Sequence, residues 1–437
     1  MKNILIKFKQ HPKYDTIVSW GKLISITGSA QIIVQAVGFA SGILIIRLLP
    51  VQEYAFYTLA NTMLGMMTVL ADGGITNGVM AQGGKVWQDK EKMGIILATG
   101  LDLRKKFAIG SLLVSVPILF YFLLHNDASW ITSILITLAL IPAFYAALSD
   151  SLLEIIPKLN QTILPLQRNQ VEVGIARLLL SGLAMLVFPW AFVAVLAAGI
   201  PRIWGNFGLR KIVYNYASKD EQPDLVVKKE ILDLVKSILP TSIYYCVSGQ
   251  ITIWLISIFG NTTSLAELGA LTRLSVILSV FLTIITTLIV PRFAKLKLEK
   301  KILLQRFVQI MFVLIVILSI IVMIVYFFPA PILWILGKDY KGLNYELLLS
   351  VIGSCISLLS GIAFSLYSSR GWALSPIVLI TINLIAIIVF ASILDLSNLE
   401  GVLFLNIALG LVALMQTTFF SIFKILQIKN DSYETTN

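Results

Sequence analysis

Arg177, Arg202 and Arg273 each stand inside a long apolar run, and Asp72 stands in another, followed directly by Gly73 and Gly74. An ionisable side chain at membrane depth costs about 2.5–3.5 kcal/mol on insertion scales, so each of these groups is a candidate for binding charge. Arg273 lies about two turns, roughly 10 Å, into its run. That is too deep to snorkel, so it either lines a central cavity or pairs with a carboxylate elsewhere. Arg177 and Arg202 lie close enough to the ends of their runs for the guanidinium to reach headgroups. Asp72 binds a coupling cation, pairs with an arginine or faces water. Asn61 and Asn77 flank it. Gln31 with Gln35, and Gln250 with Thr252, offer polar contacts between helices. Asp150 and Glu154, spaced i, i+4, share a helix face as a cation site or a solvated end. Pro201 and Pro240 interrupt backbone hydrogen bonding and mark either hinges or static kinks.

The elements that position these groups must be membrane helices. The chain has 437 residues, 57% of them apolar and 13% charged, with a mean hydropathy of +0.89. A soluble domain carries about 45–50% apolar and about 25% charged residues. Runs of about 20 apolar residues, enough for a hydrocarbon core of about 30 Å, fall near 23–46, 54–80, 107–124, 130–150, 172–188 and 190–208. A second set falls near 233–259, 266–290, 306–328, 345–367, 373–394 and 401–424. With the N-terminus in the cytoplasm, 28 of the 34 lysines and arginines lie on the inner side and three, Arg47, Lys338 and Lys341, on the outer. The bias supports twelve spans with both ends cytoplasmic.

The expected organisation is a basic N-terminus (1–22), an N-lobe of six spans (23–208), a cytoplasmic linker (209–232), a C-lobe of six spans (233–424) and a tail (425–437). An even number of spans in each half makes the repeat parallel, about an axis along the membrane normal. The net charge of +11 is spread between hydrophobic segments rather than along one face. Its partner is the anionic membrane surface, not nucleic acid.

Several functions are excluded by what the chain lacks. There is no Gly-x-x-x-x-Gly-Lys-Ser/Thr loop, no His-Glu-x-x-His and no Gly-x-Ser-x-Gly. Two histidines and two cysteines in apolar runs offer neither a catalytic centre nor a metal cluster. The expectation is a chain without cofactor, metal or catalytic residues, which moves something across the bilayer, with a purely structural or scaffold membrane protein as the alternative.

Local patterns add a resemblance. Arg47-Leu48-Leu49-Pro50-Val51-Gln52-Glu53-Tyr54-Ala55-Phe56-Tyr57 and then Leu70-Ala71-Asp72-Gly73-Gly74 resemble the opening of the O-antigen and capsular polysaccharide flippases. These belong to the multidrug/oligosaccharidyl-lipid/polysaccharide exporter superfamily. Leu239-Pro240, the run Leu268-Gly269-Ala270-Leu271-Thr272-Arg273-Leu274 and Pro291-Arg292-Phe293-Ala294 resemble its second half. The chain departs from the family at Ala55, where glycine is usual, and at Thr252, where an aspartate is common.

The resemblance implies an all-α integral membrane fold with about twelve spans in two six-helix lobes and MATE-like alternating access. It implies inward-to-outward movement of undecaprenyl-pyrophosphate-linked oligosaccharides across the bacterial plasma membrane, with polysaccharide polymerase machinery as a partner. Arg273, with Arg47, Arg177 and Arg202, would then meet the diphosphate, since a guanidinium fork suits phosphate oxygens. Asp72, Asn61, Gln31 and Gln250 would supply a coupling-ion or polar cavity site. A cation-coupled exporter of drugs or metabolites and a membrane-embedded polysaccharide polymerase or ligase are the competing expectations.

Overall fold

The computed structural model describes residues 32–428 apart from 161, 276–277, 279–281, 283–284, 286–288, 291–292, 294–295, 297–298, 371 and 373. Gln31, the basic N-terminus and much of the expected eighth span therefore lie outside the described residues, as do Pro291, Arg292 and Ala294. All regular structure among the described residues is helical.

In chain order the helices are α1 (Ile32–Leu48), α2 (Val51–Asp72), α3 (Ile75–Val86), α4 (Lys90–His125), α5 (Trp130–Leu153), α6 (Ile155–Leu159), α7 (Ile163–Val187) and α8 (Ala191–Val213). There follow α9 (Leu225–Ser248), α10 (Ile251–Phe259), α11 (Thr262–Leu274), α12 (Lys300–Phe327), α13 (Pro329–Leu336), α14 (Asn344–Ser368), α15 (Pro376–Ile393) and α16 (Leu399–Leu426). Eight helices among the described residues are long and apolar enough to cross a membrane by themselves. Among the described residues the expected apolar runs lie mainly on helix, the first described only from residue 32 and the eighth only in part, with turns at 73–74 and 249–250.

Three boundaries differ from the sequence expectation, each for a local reason. The second run is not one helix. Gly73 and Gly74 take φ of 51° and 100°, left-handed values that end α2 at Asp72 and let α3 start afresh. The fifth span begins at Ile163, not near 172. Pro165 falls in its first turn, where a missing N–H breaks no helical bond. The third run belongs to the 36-residue α4, about 54 Å at 1.5 Å per residue. Part of it must project beyond a core of about 30 Å. Asp89 caps its start, accepting from the Lys92 amide at 3.1 Å. That bond and the adjacent lysine hold the Asp89 carboxyl below its usual range.

The chain gathers into two compact units, Met1–Ile45 with Met63–Pro117 and Ile134–Ile243, and Ile46–Thr62 with Ile118–Ser133 and Tyr244–Asn437. In the first unit, α7 packs along α8, and an apolar core joins Ile75, Val79, Leu97, Leu152, Val213 and Ile231. The segment after α8 is part of this unit. Ser218 donates its amide to Lys90 O at 2.9 Å, Asp224 donates to Thr99 Oγ1 at 3.0 Å, and Ala217 is buried. In the second unit, α14 packs along α16, with α12 against α14 and α15 against α16. Asn261 and Asn398 cap α11 and α16 through Ser264 N at 2.8 Å and Gly401 N at 2.7 Å. The lipid-facing character of this unit is plain on α15, where Ile377 is 77% and Ile393 71% exposed.

Candidate functional site

The expected site residues divide between the units: Asp72, Arg177 and Arg202 in the first, Arg47, Asn61, Gln250 and Arg273 in the second.

In the first unit the carboxylate at the α2–α3 break is already matched. Asp72 Oδ1 accepts from Thr76 N at 3.1 Å and from Thr76 Oγ1 at 2.6 Å. It also forms a close ion pair with Arg104, whose side chain is only 4% exposed. Arg104 donates further to Leu148 O at 2.6 Å, to Thr76 Oγ1 at 2.9 Å and to Ser151 Oγ. Of the options the sequence left for Asp72, the structure gives it an arginine. That arginine was counted by sequence among the inner-loop cations, but it lies on the buried face of α4 with Leu97, Gly100 and Ala108.

A second pair lies nearby in the same unit. Arg202 Nε donates to Asp150 at 2.9 Å, and Asn206 Nδ2 donates to the other oxygen of that carboxylate at 2.6 Å. Glu154 takes Lys158 at 2.7 Å and Gln170 Nε2 at 2.9 Å. Asp150 and Glu154 thus share a face, as their spacing predicts, but each is held by its own cation. Arg177 is partly exposed and lies against α1, where a Cβ on Gly38 would stand 3.4 Å from its guanidinium.

The second unit treats its arginine differently. Arg273 lies beside the hydroxyls of Tyr54 and Tyr57, which face it from α2 at i, i+3 spacing. No carboxylate lies within ion-pair distance of Arg273 among the described residues. The approach depends on Gly269. A Cβ there would stand 2.5 Å from Thr58 Oγ1, so only glycine lets α11 come this near to α2. Side chains lean toward a helix's N-terminus, and Arg273, one turn past Gly269, leans back toward the tyrosines. Tyr54 is 1% exposed and its hydroxyl has no hydrogen bond of good geometry. Its ring stacks on Tyr57 at 6.1 Å and meets Tyr340 edge-on at 6.5 Å. Burial pushes the Tyr340 hydroxyl up, so this phenol stays a neutral donor.

The remaining residues have plain positions. Arg47 is exposed and caps α13, donating to Trp334 O at 2.5 Å and Ile335 O at 2.8 Å, with its guanidinium 4.8 Å above the Trp334 ring. Asn61 is exposed. Gln250 occupies the N-cap position of α10, without a side-chain capping bond, after a 43° bend from the preceding helix. Pro201 and Pro240, which mark either hinges or static kinks, lie inside helices that continue through them. In the seventh run the helix also breaks, at Gly249-Gln250.

Sequence reading missed Arg104, Tyr54 and Tyr57 as site residues. A face count along α4 from Lys90 would have placed Arg104 with buried Leu97, and the i, i+3 spacing of the tyrosines was visible.

No protein-family model and no curated protein matches this sequence. Solved structures do match. An inward-facing multidrug resistance MATE family transporter of the MOP superfamily aligns with a TM-score of 0.69 and 13% identity, over 91% of this chain and 96% of that one. The lipid II flippase MurJ in an inward closed conformation aligns with a TM-score of 0.71 and 14% identity, over 91% and 89%. A MOP superfamily transporter from Pyrococcus furiosus, described as having a binding pocket of reversed polarity, aligns at 0.62 and 13%, over 93% and 96%. The chain is therefore a multi-pass membrane protein with the fold that MATE exporters and MurJ share.

Proposed function

We propose that this chain is a flippase, moving undecaprenyl-pyrophosphate-linked oligosaccharide units from the inner to the outer leaflet of a bacterial plasma membrane. Its product would feed O-antigen, capsule or exopolysaccharide assembly, with the polymerase as downstream partner. Two lobes, 23–208 and 233–424, would open to the two sides in turn. The observation that carries the reading is Arg273: a guanidinium flanked by two phenols, with no acidic partner among the described residues. A doubly charged diphosphate supplies what that site lacks, through forked charge-assisted hydrogen bonds. The fold shared with a lipid II flippase supports the same substrate class. A cation-coupled exporter needs an intramembrane carboxylate free to bind the ion. Asp72, the residue that reading would use, is held by Arg104.

The test is translocation of a labelled polyprenyl-diphosphate oligosaccharide in proteoliposomes, read by its accessibility in each leaflet. Wild-type protein should move the label. Loss of a hydrogen bond to a charged group is worth about 1.5–3 kcal/mol, so Arg273→Ala should slow transport about 10- to 100-fold. Arg273→Lys should retain part of it. Full activity in Arg273→Ala would refute the anion-binding role. Cation-driven drug efflux without lipid movement would give the function to the exporter reading.

A further inference from the structure

The second unit contains a groove of about 470 Å³ that the transport reading does not use. Its walls are aliphatic, with Val313, Ile317 and Leu318 of α12, Leu358 of α14 and Ile289 among them. Arg306 and Gln309 join the lining at the end of α12 that carries Lys300 and Lys301. Arg306 is exposed and donates to Gln309 Oε1 at 3.1 Å, and no carboxylate pairs with it among the described residues. From residue 306 to residue 318 the helix rises about 18 Å, slightly more than one leaflet's share of a core of about 30 Å. Val313 is 54% and Ile317 39% exposed, so the groove is open sideways along its length.

An ordinary lipid-facing helix has no reason to prefer one lipid, because acyl chains are as apolar as leucine. A concave aliphatic channel ending at an unneutralised guanidinium differs in both shape and charge. We propose that this groove is a binding site for one anionic phospholipid. Its phosphate sits on Arg306 and the Gln309 amide, and one acyl chain runs along α12 toward Leu318. The lysines at the start of α12 add to the attraction, each basic group near an anionic headgroup contributing independently of the groove's shape. Charge bias puts this end of α12 on the cytoplasmic side, so the lipid comes from the inner leaflet. The single guanidinium suits a phosphodiester. The groove's length suits one acyl chain, and an undecaprenyl chain would overrun it several times. The inference does not depend on the flippase reading: a resident lipid here would bind whatever the protein transports.

The experiment titrates phosphatidylglycerol and phosphatidylcholine into purified full-length protein in neutral detergent, with bound lipid counted by native mass spectrometry. Wild-type protein should hold one phosphatidylglycerol about five-fold more tightly than phosphatidylcholine, the preference expected of one basic group at a headgroup. Arg306→Glu should erase the preference and Arg306→Lys should keep most of it. Ile317→Trp, which fills the groove, should weaken both lipids. Ile388→Trp on exposed α15 should change neither. If Arg306→Glu is not recovered as a monodisperse protein, Arg306→Gln decides. An unchanged preference in either folded charge variant overturns the proposal. So does displacement of phosphatidylglycerol by undecaprenyl phosphate at lower concentration, which would assign the groove to the tail of a transported lipid.

Discussion

Arg104 in the first unit and Arg273 in the second are both largely withdrawn from solvent on helices, yet only one of them has a charged partner. Arg104 meets Asp72, two hydroxyls and a carbonyl, so its charge is cancelled where it stands. Arg273 meets two phenol hydroxyls and, among the described residues, no carboxylate. Desolvating a guanidinium is costly in either place, and a carboxylate partner offsets that cost at the expense of locking both groups. The phenols leave a net positive charge behind. The difference separates an arginine that holds helices together from one that has charge to offer a ligand.

The largest effect should come from Arg104→Ala, which leaves Asp72 without its cation. Breaking a buried pair from one side costs about 3–5 kcal/mol. Thermal unfolding in detergent should show it, and Asp72→Asn combined with Arg104→Gln should recover part of the loss. Arg273→Ala should abolish most transport while lowering stability far less than Arg104→Ala. Equal destabilisation by the two would erase the distinction drawn here. Gly269→Ala should lower both transport and stability, because its new methyl must displace Thr58 from 2.5 Å; overpacking of this kind costs about 1–3 kcal/mol. A folded Gly269→Ala protein with normal transport would show that Arg273 does not need the close approach. The smallest effect should follow Arg202→Ala. That side chain is 44% exposed, and solvent-screened pairs contribute about 0–1 kcal/mol.

The contrast was only half legible in the sequence. Helix identity follows from apolar run length, and α12, α14 and α16 sit where their runs predict. Arg273 stood out because it lies about two turns inside a long, mainly apolar run. Arg104 did not, because Lys105 and Lys106 beside it look like a solvated loop, and its partner is 32 residues away in sequence. Pairings at that distance depend on how helices pack, which residue spacing alone does not encode. Gly73-Gly74 lies inside what reads as one apolar run, 54–80, and the break there needed the actual φ values: the left-handed turn brings Thr76 N back onto the carboxylate just before the glycines.

The peptide that joins α8 to α9 has the composition of a tether, with Lys219, Asp220, Glu221, Gln222 and Pro223 in succession. Its flanks are nevertheless fastened to α4 at Lys90 and Thr99. A protease site or epitope tag inserted at 217 or 218 would have to pry apart folded structure, as would one at Glu221, whose side chain packs on Gly94 of α4; an insertion between Gln222 and Pro223, both exposed, would not. Where the halves are severed should therefore decide whether they can be produced separately and reassembled.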